Sequence, residues 1–211
     1  MAQRLWIGWR GGSASRHLLV SIGCALLFVG LYLVAVRTAA GQSLDDRTFE
    51  LLYSLAPPGT VALMTWFARG LVIVLLATLV AVLAVAAMRR RAWRAVVAAI
   101  LIVGLTAVAT TFLRDDVLTR PRLREEAFPE NSLPSTHVSV ACALVVASVL
   151  LWPRRPWWLI NTACVVVLLA GLGNVLGQAH RSSDVVASVL LVGAVSGLSL
   201  ALLRPIRQPP R

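Results

Sequence analysis

Two of the three histidines in this 211-residue chain stand beside residues that suit them for chemistry. His180 and Asp184 are four residues apart, a spacing that puts both on one face of a helical turn. A carboxylate bonded to one imidazole nitrogen fixes the tautomer and leaves the other nitrogen free to attack an electrophile. Ser182 and Ser183 are placed to cap a helix that starts here. His137 closes the run Pro134-Ser135-Thr136-His137, in which Pro sets a turn and Ser135 is a candidate helix N-cap. The free N–H groups of such a helix start suit phosphate oxygens. His137 itself is a candidate general acid toward a leaving oxygen. Upstream, Arg114, Arg120, Arg122 and Arg124 gather in a stretch that also holds Asp115, Asp116, Glu125, Glu126 and Glu130, so net charge does not account for them. Guanidinium forks bind phosphate bidentately. Each feature taken alone has a plainer reading: a His–Asp pair that only caps a helix, a capping box with an interfacial histidine, and a solvated loop of ion pairs.

The elements that must position these residues are read from composition. The chain is 58% hydrophobic and 14% charged. Soluble domains are about 45–50% apolar and roughly 25% charged, so both a soluble domain and a disordered chain are excluded. Six uncharged stretches approach the roughly 20 residues needed to cross a bilayer: Leu18–Val36, Gly70–Met88, Ala95–Leu113, Val138–Trp152, Trp157–Leu176 and Val185–Leu203. None alternates as a barrel strand would. The expectation is an all-α bundle of six transmembrane helices, a single integral-membrane domain over residues 1–211. Residues 41–69 read as an outer loop with an interfacial helical piece, broken at Ala56-Pro57-Pro58-Gly59. The first run resembles a signal peptide, but its 19 residues exceed the usual 7–15 of such a core. Cys24, Cys142 and Cys164 fall inside apolar runs and read as buried filler rather than a disulfide framework.

The formal charge of +11 resolves into an orientation. One set of inter-helix segments holds Arg4, Arg10, Arg16, Arg89, Arg90, Arg91, Arg94, Arg154, Arg155, Arg204, Arg207 and Arg211 and no acid. The other holds Arg37, Arg47, Arg69, Arg114, Arg120, Arg122, Arg124 and Arg181 together with all nine acids. By the positive-inside rule the first set is cytoplasmic, and so are both termini. Six of the seven tryptophans (6, 9, 93, 152, 157 and 158) fall at that boundary. The excess charge is therefore topological and argues against a nucleic-acid partner. The His137 and His180 segments lie on the opposite, outer face, each just before a helix that leaves it, so they can meet. The exclusive use of Arg for Lys, with abundant Ala, Val and Leu, points to a high-GC bacterial genome, hence a plasma (inner) membrane with a periplasmic or extracellular site. Gly193 and Gly197 have small-xxx-small spacing, which serves packing within one chain or between chains equally.

Arg120-Pro121, then Pro134-Ser135-Thr136-His137, then His180-x-x-x-Asp184, in that order on one membrane face, resemble the type 2 phosphatidic acid phosphatase superfamily. Its pattern is K-x6-R-P, P-S-G-H and S-R-x5-H-x3-D, on six transmembrane helices. The resemblance covers roughly residues 60–203. The family Lys falls on Leu113, with Arg114 one residue later; Thr136 replaces Gly; and Gly173-Asn174 stand where Ser-Arg is expected. One phosphate-binding Arg is thus missing, and Arg181 is a candidate substitute.

The resemblance implies hydrolysis of a lipid phosphate or diphosphate through a phosphohistidine, without metal or other cofactor. It makes His180 the nucleophile, Asp184 its orienting partner and His137 the acid. Arg120, Ser135, Thr136 and Arg114 or Arg181 would hold the phosphoryl oxygens. The implied partner is a membrane lipid phosphate: phosphatidate, phosphatidylglycerol phosphate or a polyprenyl phosphate or diphosphate. Two alternatives stay open at this point, a phosphotransferase of the same fold and a non-catalytic lipid-binding protein on a decayed site.

Overall fold

The computed structural model describes residues 14–57, 59–123, 131–154 and 156–203, and these are helical with no strand among them. Seven helices run in order: α1 Ala14–Val36, α2 Ala39–Ser54, α3 Thr60–Arg89, α4 Trp93–Val117, α5 Thr136–Leu151, α6 Trp157–Leu176 and α7 Ser182–Leu202. Five of them (α1, α3, α4, α6 and α7) are long and apolar enough to cross a membrane. They expose their large side chains outward, as Leu26, Val74, Val108 and Leu168 show. An apolar exterior without a polar face is what a lipid solvent selects. The chain is therefore a multi-pass membrane protein.

α5 has 16 residues, about 24 Å at 1.5 Å per residue and short of a roughly 30 Å hydrocarbon core. It is also the helix the others surround. Ten of its residues are buried, and it packs against α3, α4, α6 and α7. Sheltered by protein, it carries two buried serines, Ser139 and Ser148, that a lipid-facing helix would not.

The breaks follow local chemistry. Gly59 takes φ 80° where α2 gives way to α3, at the Pro-containing break expected there. Pro156 caps α6 at its start. The structure extends α3 ten residues upstream of the apolar run at Gly70, so much of the anticipated outer loop is helix. α2, which falls on the segment expected to be interfacial, starts right after α1. Three helices widen into a π-helical turn: α1 at Tyr32–Val36, α3 at Phe67–Leu71 and α4 at Leu113–Val117. All three turns lie at the end of the bundle that carries His137 and His180.

The small-xxx-small pair acts within the chain. A Cβ on Gly193 would stand 2.7 Å from Cys24 Sγ, and one on Gly197 2.7 Å from the His17 carbonyl oxygen. α1 and α7 thus touch nearly backbone to backbone, and Ser21 donates to the Ala194 carbonyl at 2.7 Å. Of the three cysteines, Cys142 is buried and Cys24 half-buried, but Cys164 is exposed on α6. Buried filler was expected there; the outward face of a lipid-facing helix accepts a small apolar side chain equally well. At the opposite end, Arg90 donates to the Leu151 carbonyl at 3.1 Å, and Trp152 and Trp158 pack edge to face. Arg4, Arg10, Arg155, Arg204, Arg207, Arg211, Trp6 and Trp9 lie outside the described residues.

Candidate active site

The site is built where α4 ends and α5 and α7 begin. Ser135 is the N-cap of α5, its Oγ accepting from the Val138 N–H at 3.4 Å. Thr136 is the first residue of that helix and His137 the second. Thr136 has no positive φ, so a β-branched residue fits where the family pattern has Gly. Its hydroxyl accepts from Arg114 Nη1 at 2.7 Å. Arg114 is thus joined to the Ser135-Thr136-His137 run from the π turn of α4, one residue beyond the expected Lys position. Asn131 ties the two segments together by donating to the carbonyls of Arg114, Leu118 and Leu133.

The His180 segment meets this run from α7. Ser188 Oγ lies 3.1 Å from the Ser135 carbonyl oxygen, so the starts of α5 and α7 are in contact. His180 Nδ1 lies 3.4 Å from Asp184 Oδ2, and the carboxylate is fully buried. Asp184 Oδ2 also accepts from Ser132 Oγ at 2.6 Å and from the Arg181 N–H at 3.0 Å. Two hydrogen bonds hold the carboxylate, and the imidazole faces it at ion-pair distance without a hydrogen bond between them. In such a pair the nitrogen facing the carboxylate keeps its proton and the far nitrogen keeps its lone pair. Separations above 3.2 Å between such groups are common before substrate binds. A shallow pocket opens on His180, lined by Phe49, Ser132, Gln178, Ala179 and Arg181.

The sequence made Ser182 or Ser183 a candidate cap of α7, but neither caps it. Arg181 is the N-cap residue, and the free donors of the helix start are met by carboxylates instead. Asp184 takes the Arg181 N–H, and Asp45 takes the Ser183 N–H at 3.0 Å and the Ser183 hydroxyl at 2.6 Å. Carboxylates suit a helix N-terminus on both hydrogen-bonding and dipole grounds.

Asp45 was not anticipated, and it is central. Besides Ser183 it receives Arg120 Nη2 at 3.2 Å, with both side chains nearly inaccessible. One carboxylate from α2 therefore joins Arg120 to the start of α7. Burial pushes the Asp45 carboxyl up from its ordinary range, against the opposing pull of the Ser183 and Arg120 donors. Its neighbour Asp46 pairs with Arg181, 2.6 Å from Nη2 and 2.7 Å from Nε. Gln42, also buried, donates to the Val36 and Pro121 carbonyls. Gln42, Asp45, Asp46 and Phe49 follow the i, i+3, i+4, i+7 spacing of one helix face. That polar stripe was the signal available in the sequence.

Three of the anticipated cations are thus placed against carboxylates. Arg114 pairs with Asp115 at 2.7 Å, Arg120 with Asp45 and Arg181 with Asp46. Arg122 is exposed, and Arg124 lies outside the described residues. Asn174 is fully buried and spends its amide on the Ala170 carbonyl of its own helix at 2.8 Å. His137 is half-buried, close enough to Arg69, His180 and Arg114 to be acted on by their charges.

A nucleophilic imidazole backed by a carboxylate, a second imidazole, and guanidinium and helix-start donors can transfer a phosphoryl group. No curated protein and no solved structure matches the chain. A family model described as the PAP2 superfamily matches residues 95–207. That match spans more than half of the chain, including everything from α4 through both histidine segments to the end of α7, and so the chain belongs to the PAP2 superfamily, a family of phosphatases.

Proposed function

We propose that this protein hydrolyses a lipid phosphate or diphosphate through a phosphohistidine. The observation that carries the reading is the buried His180–Asp184 pair, clamped by Ser132 and facing the helix start that bears His137. His180 Nε2 attacks phosphorus and the bond to the leaving oxygen breaks, with His137 supplying that oxygen's proton. Asp184 stabilises the positive charge His180 gains. Water then attacks the phosphohistidine, returning free imidazole and inorganic phosphate. Arg120, Arg114, Arg181, Ser135 and the Thr136 N–H are the groups that would receive the oxygens on which charge spreads. No step calls for a metal.

A six-span topology in a bacterial plasma membrane, with both termini cytoplasmic, puts this site on the outer face. The charge division, twelve Arg without an acid on one side, supports that orientation. Substrate headgroups then reach the site at interfacial depth while their chains stay in hydrocarbon.

The test is phosphate release from a panel of phosphatidate, phosphatidylglycerol phosphate and polyprenyl phosphates and diphosphates, with a chelator present. Wild type should turn over at least one of them. His180→Ala and Asp184→Asn should each lose about a hundredfold or more. Full activity in both variants, or none in wild type, would sink the proposal.

A further inference from the structure

We propose that Arg69 is a phosphate-binding residue of this site, supplying from α3 the cation that position 174 lacks; the proposal rests on the phosphatase reading above. Its place follows from packing. Val72 of α3 lies in one buried cluster with Ala141 of α5 and Ala170 of α6. Arg69 precedes Val72 by three residues and His137 precedes Ala141 by four, so each stands one turn outward from that contact. α3 also sits hard against the end of α6. A Cβ on Gly173 would stand 2.6 Å from Ala68 Cβ, and one on Gly177 2.8 Å from Thr65 Oγ1. The two glycines let the π turn Phe67–Leu71 approach the stretch that leads into His180.

Charge then distinguishes Arg69 from the other cations. Arg69 is among the charges close enough to act on His137, with His180 and Arg114. Arg114, Arg120 and Arg181 each already face a carboxylate. Arg69 is half-buried and makes no hydrogen bond or ion pair with the described residues. An arriving phosphate would have to share those three guanidiniums with Asp115, Asp45 and Asp46, although Arg120 keeps its Nη1 unpartnered, whereas the Arg69 fork meets no carboxylate among the described residues. Asn174, buried and neutral with its amide on Ala170, offers no charge from α6. Arg69 lies upstream of residues 95–207, the stretch that matches the family model.

The probe is inorganic phosphate, titrated onto full-length protein in lipid-free detergent and followed by phosphorus NMR, beside turnover of the lipid-phosphate panel. Arg69→Gln should weaken phosphate binding by about tenfold or more, and Arg69→Lys by a smaller factor, since an ammonium keeps the charge and loses the fork. Thermal unfolding checks that each variant folds; if the Gln variant does not, the Lys variant decides. Affinity equal to wild type in the folded variants overturns the assignment, and leaves Arg69 a contact for bulk lipid headgroups, which the detergent arm excludes as the source of any loss. Absence of phosphate binding in wild type overturns it as well. Phosphate binding that depends on Arg69, without His180-dependent turnover of any lipid, would uphold this site and sink the hydrolase reading instead.

Discussion

Asp45 receives three donors on two oxygens: the Ser183 N–H, the Ser183 hydroxyl and Arg120 Nη2. Asparagine would keep one acceptor and lose the charge that holds a nearly inaccessible guanidinium. Asp45→Asn should therefore lower kcat by about tenfold to a hundredfold through misplacement of Arg120 and of the start of α7. Steady-state kinetics on the best panel substrate checks this; an unchanged kcat refutes it. The raised carboxyl also has a pH signature. The folded protein binds this proton more readily than the unfolded chain, so the stability from it is present at low pH and declines as pH rises through the raised value. Melting curves of wild type should carry that downward component, and those of Asp45→Asn should lack it. At this scale His180, Asp184, His137 and Arg120 were legible because their types and spacing are chemically narrow. Asp45 and Asp46 were not, since a carboxylate on an outer segment looks the same in sequence whether it faces water or a buried guanidinium. Arg69, the cation proposed to stand in for position 174, was equally hidden, because Asn174 announces only an absence.

The helices show why apolar runs locate spans but not their ends. α4 runs past its apolar stretch through Leu113–Val117, carrying Arg114 and Asp115 inside a π turn, because those side chains find Thr136 and each other. α3 starts ten residues before its apolar run because Thr65 and Ala68 pack on glycines of α6, a tertiary contact that no local window contains. Packing also settles the role of Gly193 and Gly197. A side chain at Gly197 would press on backbone, the His17 carbonyl and the Ser21 nitrogen, and backbone cannot swing aside. Gly197→Leu should part α1 from α7 and cost about 1–3 kcal/mol or more, read as a lower midpoint of thermal unfolding in detergent. Leucine at Gly23, which has open space around it, is the matched control and should shift the midpoint little.

For the molecule as a whole, the orientation inferred from arginine placement can be read directly. In a chain whose three native cysteines are replaced, Arg47→Cys on the exposed side of α2 should react with a membrane-impermeant maleimide added to intact cells. Cysteine in place of Arg91, at the other end, should react only after lysis. The reverse pattern would place the histidines on the cytoplasmic side and overturn the outward site. The bundle's class was legible because a 58% hydrophobic chain with 14% charge has no stable alternative outside a membrane. What the composition could not convey is that α5, the least membrane-like of the six runs, is the centre on which the others are hung.

α2 has a consequence for how this chain is compared with others. The helix supplies the partners of Arg120 and Arg181, yet it lies before residue 95, where the family match begins. Two relatives sharing every histidine-segment residue, but differing at positions 42, 45, 46 and 69, would inherit the same reaction and present different charge to an incoming headgroup. Sorting such chains by their α2 and α3 residues, rather than by the shared motifs, should separate them by substrate.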